Sequence, residues 1–539
     1  MTWRLQQSTP SSSRVFERRL GYTELSFYYD SLPYGTSDSA RHHIVHALGE
    51  RGIETFSLEN VSRAWTEIKQ YYPLIGAHVQ MDSEGEGGSF IVREDDLRAC
   101  LPGEVNRGLV SSLNAVDELL QQIVHGRRRL NGQLLAQLYV LERTDIAGHF
   151  HVVFHVAHII TDGMSNINLA NRFFDSLCSP LAPAELEDRL AIALPTEILD
   201  PMVRLPIARQ RWLRAISYAI REVRWAKLKG GHTLPLMSHP PGFLETPKSF
   251  NAVLSLEPDV SQKIIANCRA QGVTFGHAYS VIAQVAMTRL LCRRYAMGSM
   301  SREEWEHRTR QPMITGGPLN LRPFLDKQWI DKGGLNNVGC AISFFWYILP
   351  FMPLGSAVTL AVGDGVPSYI TLLSKQRFFH RARLVKKQAD HVFKHPIFVG
   401  IATEHARYRI QRVKEVAERY TERQAAPQAP TLPPSHVLSF VASSMGNIDN
   451  LERHDYPSTA LSTPQTQPNS RNSTILRIIR SESLLRCRPG ELYLGARTVR
   501  KQLHLTLFYD GTSYDQKVAN EWLQDVKDAT IWYLEDSHA

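Results

Sequence analysis

Cysteine is scarce in this chain: six in 539 residues, and widely scattered. Cys100, Cys178, Cys268, Cys292, Cys340 and Cys487 form no C-x-x-C pair and no zinc spacing. A disulfide framework is therefore not expected, and reduced thiols in a cytoplasmic protein are. Other signatures are missing too. There is no P-loop and no G-x-G-x-x-G following a strand pattern, which removes the common nucleotide-binding chemistries. G-x-S-x-G is absent, so a lipase-type hydrolase would lack its nucleophile. No tandem repeat is visible. The opening text, MTWRLQQSTPSSSR, has no apolar core, so no secretory leader is read and residues 1–13 are expected to be disordered. Residues 338–363 run without a charge for a membrane-spanning length. Pro350 and Pro353 interrupt that stretch. It reads as a buried strand, Val338 to Leu349, followed by a proline-broken loop, and no membrane span is expected.

What is present begins with bulk. Hydrophobic residues make up 43% of a chain too long for one ordinary domain. Helical and strand periods alternate along it, which suits an α/β class. The formal net charge is +8 and is spread along the sequence. It suits an anionic ligand or plain solubility, and no recognised nucleic-acid module accompanies it.

The richest stretch is HFHVVFHVAHIITDGMSNINLANRFFDSL, from His149 to Leu177. Phe150, Val152, Phe154 and Val156 alternate as in a strand. Thr161, Asp162 and Gly163 break it, and Ile167, Phe173, Phe174 and Leu177 then recur at helical spacing. The segment reads strand, tight turn, helix, with His158 where the strand ends. An imidazole there can be rigidly held, neutral near pH 7, and able to take a proton. A metal site is the competing reading of His149, His151, His155 and His158. The first three share strand parity and oppose His158, and no cysteine or carboxylate completes a ligand set, so no metal is expected. His42, His43 and His46 are spaced for one helical face and are expected at the surface.

His-x-x-x-Asp-Gly at a strand end, followed by Met164-Ser165 and an amphipathic helix, resembles the active-site signature of the chloramphenicol acetyltransferase superfamily. That group includes BAHD acyltransferases, condensation domains of peptide synthetases, and fungal alcohol and trichothecene O-acetyltransferases. Many condensation domains carry a second histidine where this chain has Ala157. The Asp-Phe-Gly-Trp-Gly of plant BAHD enzymes is also missing, the nearest text being Tyr493 to Arg497. The resemblance is thus closest to the fungal acetyltransferases. It extends loosely from about Phe16 to Leu534. Tyr72-Pro73-Leu74-x-Gly76, after a helix capped by Ser57, is similar to their N-terminal half. The helix opened by Val273-Thr274 and the final strand and helix, through Gln516 to Leu534, are similar to their C-terminal half.

The resemblance implies two halves, residues 14–235 and 236–539. Each would be a mixed β-sheet flanked by helices, with a tunnel at their interface. It implies an O-acyltransferase, an O-acetyltransferase first, that moves an acyl group from acyl-CoA to a hydroxyl of a small natural product. His158 would be the general base, with no covalent intermediate and no permanently bound cofactor. Asp162 would join it at the catalytic site in a structural role, held bidentately by Arg322 of Asn320-Leu321-Arg322 and supported by Gly163 at the turn. Ser443, Ser444 and Gly446, after an apolar strand from His436 to Phe440, would line the tunnel, with a serine hydroxyl or backbone N–H near the oxyanion. The alternatives are a donor thioester carried on a free carrier protein, as in polyketide or peptide pathways, and a non-catalytic binding protein on the same fold. A cytoplasmic monomer is expected.

Three further segments complete the reading. Phe16 to Tyr29 (FERRLGYTELSFYY) has the form of an entry strand. Arg209 to Lys229 is a basic helix, expected to be a solvated edge element, with coenzyme A phosphates or a membrane surface as functional alternatives. Residues 424–434 and 456–474 are rich in proline, serine and threonine and read as surface loops.

Overall fold

In the computed structural model the described residues are 2–6, 13–237, 246–352, 354, 366–425, 436–457 and 474–535. Two six-stranded mixed sheets organise them. The first contains β1 (Ser39–Ala47), β2 (Val105–Val110), β3 (Ala136–Arg143) and β4 (His149–Val156). The second contains β5 (Ser249–Ser255), β6 (Met313–Asn320), β7 (Ile342–Leu349) and β8 (Phe440–Asn447). Four strands remain: β9 (Asp455–Tyr456), β10 (Leu476–Leu485), β11 (Leu492–Val499) and β12 (Gln502–Asp510). The first sheet runs β9-β10-β1-β4-β3-β2 and the second β7-β6-β8-β11-β12-β5. The first lobe's sheet is thus completed by β9 and β10, which come from far beyond residue 235. A separate four-stranded sheet, built from Arg4–Leu5, Val15–Arg19, Gly88–Arg93 and His78–Met81, shares the first lobe's core.

The helices used below are α1 (Tyr22–Tyr34), α2 (Leu58–Tyr71), α3 (Gly163–Cys178), α4 (Ile207–Trp225), α5 (Phe275–Ala296), α6 (Lys375–Phe393), α7 (Phe398–Ala425) and α8 (Gln516–Leu534). Helix α2 starts where the Ser57 hydroxyl accepts the Asn60 N–H, and it gives way at Pro73 to a short 3₁₀ turn. Its Val61, Ala64, Trp65 and Ile68 are buried at helical spacing against the first sheet. Helix α5 is apolar almost all round because it is buried almost all round, packed with α8 and α6 on the second sheet. Each lobe therefore has its own core. The first lobe's core also takes in Val338, Cys340 and Ile342, which lead into β7.

Several sequence expectations are corrected here. The text from Tyr22 is helix α1 and not strand. Glu24 makes the difference, accepting the Gly21 N–H at 2.6 Å and so starting the helix. His42 and His43 are buried in strand β1 rather than on a helix surface, because β1 is sandwiched between β10 and β4. Arg4–Leu5 is not disordered but pairs with Phe16 and Glu17. The strand expected at His436 to Phe440 begins at Phe440 and contains the Ser-Ser-Met-Gly run itself. Most of the two expected loops, 424–434 and 456–474, lies outside the described residues. Tyr456 is not loop: it is buried in β9 against Phe174, and its hydroxyl donates to Asn171 at 2.8 Å. Pro353 and most of the residues after it up to 365 also lie outside. Among the described residues no helix is long and apolar enough to cross a membrane.

Candidate active site

The site is built from the end of β4. Ala157 still donates its N–H to Leu135 of the neighbouring segment, at 2.8 Å. The chain then turns, with the Ile160 N–H on the Ala157 carbonyl at 3.1 Å. Buried Ile159 and Ile160 anchor the turn in the core. Asp162 follows as the N-cap of α3, its Oδ1 accepting the N–H groups of Met164 at 3.1 Å and Ser165 at 2.9 Å. Its Oδ2 accepts the Ala341 N–H and the Arg322 Nη1 from the other lobe, both at 2.9 Å. Burial alone would raise this carboxyl, but Arg322 and the surrounding N–H donors outweigh it and hold the pKa below the ordinary value.

Arg322 is itself buried, just past the end of β6. The contact with Asp162 uses one nitrogen, so it is not the bidentate fork expected. The second terminal nitrogen, Nη2, goes to the Ser165 hydroxyl and the Gly339 carbonyl, both at 2.8 Å. The Asn320 side-chain oxygen accepts the Arg322 backbone N–H at 3.1 Å. Gly163 opens α3, and a Cβ there would stand 3.4 Å from the tip of Met445 on β8. The cap of one helix is therefore also the joint between the two lobes.

His158 is partly buried. Its ring stacks on Phe27 of α1, with centroids 4.1 Å apart and planes 2° from parallel. The Cys340 sulfur stands 3.9 Å from Nδ1. Desolvation by the surrounding protein lowers the imidazole pKa to about 4. A hydrogen bond to its own main chain and the Asp162 charge act the other way, and Arg409 and Arg488 add to the lowering. Those two arginines meet at Asp30 of α1. Arg409 Nη2, from α7, and Arg488 Nη2 each reach Asp30 Oδ2 at 2.5 Å. The Arg409 guanidinium also lies 4.3 Å from the centre of the Phe27 ring.

The expected tunnel residues sit on β8, the central strand paired in parallel with β6 and β11. Ser443 bonds with the Tyr493 side chain. Ser444 is exposed, beside Gly276 in the first turn of α5. Gly446 lies within a register shift of the strand, between Ser444 and Asn447, and has a positive φ of 69°. The ring and sulfur contacts made by His158 come instead from Phe27 and Cys340, with Asp30, Arg409 and Arg488 behind. Sequence reading missed these five. Cys340 alone had a local pointer, four residues after Asn336 in the Asn-Asn-Val-Gly run. Among the described residues no group of three or more histidine, cysteine or acidic side chains is arranged to hold a metal ion.

No protein-family model and no curated protein sequence matches the chain. Solved structures do. A trichothecene 15-O-acetyltransferase from Fusarium sporotrichioides superposes with a TM-score of 0.70 at 12% identity, over 99% of this chain and 97% of that one. The fold is that of the two-lobed acetyltransferases and condensation domains. The condensation domain of the monacolin K polyketide synthase gives a TM-score of 0.59 at 12% identity, over 96% and 97% of the two chains. The first condensation domain of a calcium-dependent antibiotic synthetase gives 0.56 at 13%, over 96% of each.

Proposed function

We propose that the protein is an O-acyltransferase, an acetyltransferase first, taking the acyl group from a coenzyme A thioester and passing it to a hydroxyl of a small molecule. One observation supports this most directly. The Asp162 carboxylate is saturated by Arg322, Ala341 and the α3 amides, so it fixes the turn and leaves His158 as the free proton acceptor. With its pKa lowered to about 4, His158 is neutral at pH 7. In this reading Nε2 removes the acceptor hydroxyl proton as that oxygen attacks the thioester carbonyl carbon. The tetrahedral oxyanion is met by donors nearby, with Ser443 and Ser444 the first candidates. The carbon–sulfur bond then breaks and the imidazolium returns the proton to the departing thiolate. An ester and a free thiol result, without a covalent enzyme intermediate. Asp162, Arg322, Asn320 and Gly163 position the base.

The second reading keeps the chemistry and changes the donor to a carrier-protein thioester, favoured by the condensation domains that share the fold. Release of free thiol from acetyl-CoA and from an acetylated carrier protein, across a panel of alcohols, separates them. Release that depends on acceptor and on His158 with acetyl-CoA supports the first. Release only from the carrier moves the assignment to the second. Acceptor-dependent release from neither donor sinks both and leaves a binding protein.

A further inference from the structure

Among the described residues no strand pairs with the outward edge of β7. Helices α6 and α7 cover it instead, with Gln388 of α6 hydrogen-bonding both the N–H and the carbonyl of Ile348 at 3.0 Å. Between this edge, the two helices and the C-terminal end of α4 lies a cavity of about 410 Å³. That is within the size range of small-molecule sites. Its walls include Trp225, Phe344 and Trp346, and the two indoles meet edge to face at 5.5 Å. Three cations, Arg224, Lys227 and Lys387, also line it, and among the described residues no carboxylate does. Among the described residues none of the three forms an ion pair, and Arg224 donates to the His391 carbonyl at 3.3 Å. Three cations around one cavity without a carboxylate among them favour an anionic ligand there.

Two further features give the cavity a direction. His405 lines it with its ring 5.0 Å from Trp346, and desolvation, with Arg221 and Arg224, lowers its pKa to about 3. It therefore stays a neutral hydrogen-bonding group at pH 7. At the other end Phe344 is a wall of the cavity and also lies 6.4 Å from Phe27, the ring stacked on His158. Two aromatic rings in series, Phe344 and Phe27, stand between the cavity and the candidate base.

We infer that this cavity is the acceptor pocket and that the acceptor is an anionic hydroxy compound: an aromatic or polycyclic body between Trp225, Trp346 and Phe344, with a carboxylate or phosphate at Arg224, Lys227 and Lys387. The inference rests on the acyl-transfer reading for the word acceptor, but the binding site does not. The phosphates of coenzyme A share the same anion chemistry, and the experiment tells the two sources apart.

Calorimetric titration of the full chain with 6-hydroxy-2-naphthoic acid and with neutral 2-naphthol tests it. The acid should bind at least about tenfold more tightly at low ionic strength, and the advantage should shrink with salt. The double variant Lys227→Gln/Lys387→Gln should lose most of that advantage while still binding 2-naphthol, with an unchanged melting temperature. Equal affinity for acid and alcohol, or an unaffected double variant, overturns the anion site. Coenzyme A should bind without displacing the acid. Competitive displacement would give the cavity to the donor phosphates and overturn the acceptor assignment. His158→Ala should bind the acid as the native chain does. Native-like binding by a protein that shows no transfer with any donor would therefore count against the function and not against the site. Brisk transfer to neutral alcohols without acid binding would count the other way.

Discussion

Asp162, buried, and Asp30, partly buried, are carboxylates near His158, and each is met by arginine from a distant part of the chain. They are satisfied differently. Asp162 has one arginine and three backbone N–H groups, all within 3.1 Å. Its partner Arg322 is shared among Asp162, Ser165 and Gly339. The set is electrically balanced and ties the α3 cap of one lobe to the β6 and β7 ends of the other. Asp30 has two arginines on one oxygen. Glu491, which accepts the Arg488 backbone N–H at 2.8 Å, has its pKa raised by burial. In the Asp30 cluster two arginines face one aspartate, and both of them lower the pKa of His158. The first cluster sets where the imidazole points. The second helps to set its charge.

Replacing the imidazole should separate function from both clusters and should have the largest effect. His158→Ala is expected to lower kcat by about 10² to 10⁴, the usual worth of a general base, or about 3 to 5.5 kcal/mol of barrier. Its melting temperature should barely move, since neither ion cluster loses a partner. Steady-state rates beside a thermal melt check this, and near-native kcat would end the general-base reading.

Breaking the balanced cluster should come next. Arg322→Met strands a buried carboxylate and Asp162→Asn strands a buried guanidinium, and removing one member of a buried pair costs about 3 to 5 kcal/mol. The double variant should recover part of the loss. A double-mutant cycle in denaturant reads the coupling directly. Additive losses would contradict a working contact between the two.

The same contrast explains what could be read from the sequence. Asp162 sits in a contiguous motif at the junction of two periodicities, and Arg322 in a short Asn-x-Arg run at a strand end, so resemblance could join them across 160 residues. Asp30 has no such marker. Its partners lie 379 and 458 residues away, Arg409 within a long polar helix and Arg488 in a loop, and only the fold brings them together. Phe27 was hidden by a local error. Aromatic text from Phe16 to Tyr29 has strand-like composition, and the Glu24 cap that makes it helical is a single residue. The joining of β9 and β10 to the first sheet was equally invisible, because pairing between strands hundreds of residues apart leaves no local period. The serines on β8 were legible from their motif, while their neighbours in the fold, Tyr493 for Ser443 and the first turn of α5 for Ser444, were not.

Breaking the Asp30 cluster should have a smaller effect on stability, because Asp30 keeps Arg488. Arg409→Gln is expected to cost about 1.5 to 3 kcal/mol, the range for a hydrogen bond to a charged group. Denaturant unfolding compared with Arg322→Met checks the order. A loss at Arg409 as large as that at Arg322 would mean that the second arginine does not compensate for the first.

The smallest effect is the most specific, and it concerns proton affinity. In the folded protein His158 takes its proton near pH 4, against about 6.5 when exposed. The unfolded chain is therefore the first to bind that proton as pH falls. His158 costs no stability above about pH 6.5, and the folded state loses stability progressively as pH drops from there toward 4. For catalysis the same numbers predict kcat/KM that is flat from pH 8 to about 5 and falls as pH passes through about 4. Arg409→Gln removes one of the charges that lower the imidazole pKa, so the acid limb should move upward. The move should be less than about one pH unit, because one unit corresponds to about 1.4 kcal/mol, desolvation is the larger cause, and Arg488 remains. Arg322→Met should also perturb the site, but by removing its fixed geometry, which lowers the plateau of the profile. Separate profiles of kcat/KM against pH for the two variants decide. An acid limb that stays in place in Arg409→Gln would show that the Asp30 cluster acts on His158 only through packing, and the division of labour between the two aspartates would fail.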